Sequence, residues 1–65
     1  MHATHYELIV RGRLGPALVS AFDGLTATTT AASTVLRGQL DQGALHGVLA
    51  QIEAFGLELL DVRRI

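Results

Sequence analysis

No cysteine occurs in this chain of 65 residues, and that absence constrains the fold more than any motif does. A chain this short makes one domain, spanning 1–65. It hides only about 60% of the surface that its unfolded form exposes. Small domains usually compensate with disulfides or thiolate-bound metal, and both need cysteine. Self-association is the staple that remains, and 49% hydrophobic against 17% charged residues agrees with it. The expected assembly is a homo-oligomer, in its simplest form a dimer.

Charge narrows the partners. Five arginines and no lysine stand against six acidic residues, for a net charge of −1. Binding nucleic acid through its phosphates needs a clustered positive surface, and the chain has no basic run, so no nucleic-acid partner is expected. The longest apolar run falls far short of the roughly 20 residues of a membrane span. The first residues, Met1-His2-Ala3-Thr4-His5, are polar and lead directly into a strand pattern. This predicts no secretory leader and a cytoplasmic protein, with residues 1–4 frayed. Arginine without lysine, beside abundant Ala, Gly and Leu, suggests a GC-rich bacterial genome.

Hydrophobic periodicity supplies the elements. From Thr4 to Arg13, Tyr6, Leu8, Val10 and Gly12 alternate with His5, Glu7, Ile9, Arg11 and Arg13, the pattern of a strand with one buried face. Gly15-Pro16 ends it, and proline suits the first turn of a helix. Leu18, Val19 and Phe22 then predict a short helix over 16–22, stopped by Asp23-Gly24. A threonine-rich strand over 25–32 fits a sheet edge. A turn at Ala32-Ser33 leads to a strand over 34–40. Asp41 is an N-cap residue, and Leu45, Val48, Leu49, Ile52 and Phe55 form one helical stripe behind it. Gly56 suits the left-handed C-cap. Residues 57–65 close as a strand, with Leu60 and Val62 on one face and Leu59, Asp61 and Arg63 on the other.

The order β-α-β-β-α-β predicts an α+β, ferredoxin-like sandwich: a four-stranded antiparallel sheet in the order 4-1-3-2, with two helices on one face. The alternative is β-β-β-α-β, with the segment 16–22 a loop. The stretch Ile9-Val10-Arg11-Gly12-Arg13-Leu14-Gly15-Pro16-Ala17-Leu18 resembles the strand, turn and helix start of the ACT domain, a ferredoxin-like regulatory module. The order here is Gly-Pro where that family has Pro-Gly. The ending Phe55-Gly56-Leu57-Glu58-Leu59-Leu60-Asp61-Val62 is similar to that family's closing strand. The resemblance implies an amino-acid-like ligand at a subunit interface near the first turn, with Arg11, Arg13, Gly15 and Pro16 as its binding residues. The other resemblance is to an uncharacterised family of small bacterial proteins.

Chemistry-bearing residues are few. Ser20 and Ser33 sit in a helix and a turn, outside any nucleophile elbow, and Gly12 with Gly15 does not make a phosphate loop. His2 and His5, three apart on a strand, point to opposite faces. His46 lies on the polar side of the long helix. No metal, cofactor or catalytic set is expected. A small enzyme using His46, or the Arg and Asp side chains of the sheet, is the third reading after a binding module and a ligand sensor.

The sheet face without helices carries the main expectation. Ile9, Val35 and Leu59 should form an apolar patch there, rimmed by Arg37, Asp61, Arg63 and the threonines. Such a patch marks an interface, and a twofold pairing of two copies would cover it. Cross-strand pairs such as Asp61 with Arg11 are the ordinary role for the charges, and a two-arginine anion clamp is the functional one. Pairing through an edge strand, with the threonine strand as candidate, is the alternative mode of association.

Overall fold

The computed structural model describes residues 3–65. Met1 and His2 lie outside the described residues, so the fraying expected over 1–4 bears only on Ala3 and Thr4, and Thr4 opens the first strand. Six elements follow in chain order: β1 (Thr4–Arg11), α1 (Pro16–Ser20), β2 (Thr26–Thr29), β3 (Ser33–Leu40), α2 (Gln42–Ala54) and β4 (Leu59–Arg64). The architecture is α+β, with one four-stranded antiparallel sheet and two helices. The strands lie in the order β2-β3-β1-β4; counted from the β4 edge, the same order reads 4-1-3-2.

The boundaries follow local chemistry. β1 stops at Arg11, two residues before the expected Arg13, because Gly12 takes a φ of +86° that a strand cannot continue. α1 is a helix and not a loop, with Pro16 at its start. It ends at Ser20, so Phe22 lies beyond it. The hairpin turns one residue earlier than expected. Thr30 N–H donates to the Ser33 carbonyl at 2.8 Å, leaving Ala31-Ala32 as the loop. Neither alanine has positive φ, so the tight primed turns that require it are absent.

α2 is delimited at both ends. Asp41 accepts from the Ala44 N–H at 2.7 Å. Gly56, at φ +72°, lets Leu57 N–H reach the Ile52 carbonyl and Gly56 N–H reach that of Glu53, each at 3.0 Å. That pair of bonds is the Schellman closure of a helix.

Alternation along β1 and β3 sends Leu8, Val10, Leu36 and Leu40 to one side, where Phe22, Val48 and Ile52 join them in a single core. Phe22 and Phe55 meet edge to face with ring centroids 5.9 Å apart. One polar side chain is fully buried among them. Thr34 Oγ1 donates to the Gly12 carbonyl at 2.9 Å and accepts from the Leu14 N–H at 3.1 Å. Gly12 N–H in turn donates to the Ala32 carbonyl at 2.7 Å. The start of β3, the hairpin and the loop after β1 are thus tied together.

Gly38 marks a close approach in the same layer. A Cβ there would lie 2.5 Å from Leu25 Cδ2 and 3.0 Å from the Gly24 carbonyl oxygen. The leucine could rotate away, but the carbonyl belongs to the backbone. Gly38→Ala is therefore expected to destabilise by about 1–3 kcal/mol, although alanine is the better strand residue. Urea melting of the two proteins checks it, and an unchanged midpoint would refute the close contact.

Candidate functional site

Antiparallel partners share a face, so the register lays out the side of the sheet away from the core in rows. One row runs Thr28, Val35, Ile9, Asp61, and the next Thr26, Arg37, Glu7, Arg63. Ile9 and Val35 are direct partners and half-buried. The expected third member, Leu59, is not beside them. A register shift between Ile9 and Val10 pairs Ile9 with Asp61 and Val10 with Leu59, leaving Leu60 as the extra residue. Such a bulge resets the alternation of side chains, so Leu59 lies level with a core residue. Of the three expected apolar residues, the open face therefore keeps Ile9 and Val35.

The charges around them pair locally. Arg37 Nε donates to Glu7 Oε2 at 2.7 Å from the directly opposite position on β3. Arg63, opposite Glu7 on the other side, donates instead to Asp61 Oδ2 at 2.8 Å. The other oxygen of Asp61 accepts the Val62 N–H at 2.9 Å. The Arg63 guanidinium, followed by the Val62 amide, holds the Asp61 carboxyl below the usual carboxylate range, and the same bond raises Arg63. Arg11 does not meet Asp61. Asp61 lies opposite Ile9, and beyond the bulge Arg11 meets Glu58 instead, donating to Glu58 Oε1 at 2.7 Å, which raises the arginine. Arg11, Arg37 and Arg63, the arginines from which a two-arginine anion clamp was expected, each hold a carboxylate of the chain itself.

The expected ligand-binding turn is exposed. Arg11, Arg13, Gly15 and Pro16 all face solvent, and Gly15 caps α1 without a side-chain bond. No enclosed pocket forms there or elsewhere among the described residues. His5 on β1 and His46 on α2 are both exposed, and His2 lies outside the described residues. Among the described residues no three His, Asp or Glu side chains converge as a metal site. No described helix is long and apolar enough to cross a membrane.

What the sequence reading missed is the apolar surface at the other edge. Large hydrophobic residues are exposed at Phe55, Leu59, Leu60, Val62 and Ile65, all within the last eleven positions of the chain. Every residue of β4 is exposed, while α2 lies against β3. Val62 is the partner of the fully buried Leu8, yet on this outer strand it remains 37% accessible. The doublet Leu59-Leu60 was the available signal, since two adjacent leucines do not fit a strict alternation.

The family model of the DUF8691 domain of unknown function matches residues 5–63. The chain belongs to the DUF8691 family. No curated protein and no solved structure matches it. The DUF8691 match takes in the open sheet face and β4 as far as Arg63, and it carries no ACT-domain assignment.

Proposed function

We propose that this DUF8691 domain is a non-catalytic oligomerising module that binds or regulates as an assembly of its own copies. One observation carries the reading: four exposed large hydrophobics, Leu59, Leu60, Val62 and Ile65, lie in or directly after β4, an edge strand of the sheet. Scattered apolar residues are normal on any surface, whereas several exposed together along an unpaired edge strand favour burial against another molecule. The open face adds the half-buried Ile9 and Val35, with Arg37, Asp61 and Arg63 as a polar rim. The topology reads as ferredoxin-like, supported by the strand order and by the shared core of Phe22, Val48 and Ile52 with the central strands.

Sedimentation velocity at micromolar concentration tests the proposal. A species of about twice the 6.9 kDa chain mass, or larger, is expected. A single 6.9 kDa species over the micromolar range would sink it.

A further inference from the structure

The partner of the apolar edge can be named from the edge itself. Ile65 N–H donates to the His5 carbonyl at 2.9 Å, and backbone groups alternate along an antiparallel strand. Asp61, Arg63 and Ile65 therefore direct their amides and carbonyls toward β1, while Val62 and Arg64 direct theirs to the free edge. The Asp61 carboxylate fits this arrangement, because it accepts the Val62 N–H within the strand at 2.9 Å.

We infer that two copies of this chain pair antiparallel through β4, with the twofold axis passing beside Val62, to make one continuous eight-stranded sheet. The inference rests on the self-association reading above and names its interface. A twofold perpendicular to the sheet must place some residue opposite its own copy, and the sequence around Val62 decides which. Centred there, Asp61 faces the partner's Arg63 and Arg63 faces the partner's Asp61. Val62 meets the partner's Val62. Centring on Asp61 or on Arg63 would set like charges directly against each other, which is unfavourable across a strand pair. Centring on Leu60 leaves both charges without an opposite partner.

The Val62 register also matches the backbone. The outward amide and carbonyl of Val62 meet those of the partner's Val62 in a hydrogen-bonded pair, and Asp61 with the partner's Arg63 forms the closer non-hydrogen-bonded pair. The bonds that Asp61 makes within its own strand, to the Val62 N–H and to Arg63, are the ones exchanged across the axis.

Crossed charge reversal tests the register. Asp61→Arg alone sets Arg against Arg at both ends of the axis, and Arg63→Asp alone sets Asp against Asp. Each single variant is expected to weaken self-association by about tenfold or more. An equimolar mixture of the two opposes unlike charges at both ends, so it should recover a species near twice the chain mass. Single variants that associate as the wild type does, or a mixture that stays monomeric, would overturn the register. Either result beside a self-associating wild type leaves the oligomer reading standing, whereas a monomeric wild type removes both. If a single variant fails to fold by circular dichroism, Val62→Pro decides. It deletes an amide that β1 does not use, so a folded monomer is expected, and a folded dimer would overturn the proposal.

Discussion

Leu36→Ala is expected to remove a large share of the protein's stability. Leu36 has no accessible surface and pairs with Leu8 on one side and Ala27 on the other, at the centre of the single core. Removing a buried leucine to alanine costs about 2–5 kcal/mol, because the cavity adds to the lost transfer energy. A chain this size holds on the order of 3–10 kcal/mol in total, so one such cavity takes a large share. Thermal melting should show a fall of 10 °C or more, at about 4–8 °C per kcal/mol for small domains. Wild type and variant must be compared at one protein concentration, since association stabilises the folded state by mass action. A fall of only a few degrees would mean that the core collapses around the gap or that Leu36 is not at its centre.

Thr34→Val is the second large effect, and it separates a polar role from a packing one. Valine nearly matches threonine in volume, so the change mainly removes the hydroxyl. The Gly12 carbonyl and the Leu14 amide then lose a partner at a part-buried position, at a cost of about 1–3 kcal/mol. Thr34→Ser keeps both bonds and should lose less. Hydrogen exchange gives the specific readout. The Leu14 amide should be protected in the wild type and in the serine variant, and exchange much faster in the valine variant. Equal protection in all three would show that the hydroxyl does not hold the loop.

The sequence revealed most where structure is written locally. α2 was legible from its cap, its stripe and its terminal glycine, because each acts within one turn of the chain. β1 was legible because its alternation is strict and its two faces differ. Thr34 lies on the buried side of β3 with Leu36, but nothing in the sequence marks a threonine as the bond partner of a loop about twenty residues away. β4 failed for a different reason. A bulge is an insertion in backbone pairing, so Leu59, Asp61 and Arg63 were placed together on one face when the register separates Leu59 from the other two. The exposure of Leu60 and Val62 is a matter of how far the helices reach over the sheet, which depends on the completed packing and not on either residue.

The two edges of the sheet are unlike, and this determines what kind of assembly the chain can make. β2 is four residues long, Thr26-Ala27-Thr28-Thr29, and mostly polar, which is a blunted edge. β4 is longer and exposed along its whole length, with Leu59, Leu60 and Val62 among its residues. A sheet with two adhesive rims can add copies without limit and grow into a fibre, as heterologous contacts do when they fail to close. A sheet with one adhesive rim consumes it in the first isologous pairing and presents only threonine to the next arrival. In the proposed pairing the short threonine strand would therefore act as a chain terminator, limiting growth through the strand edges to two copies.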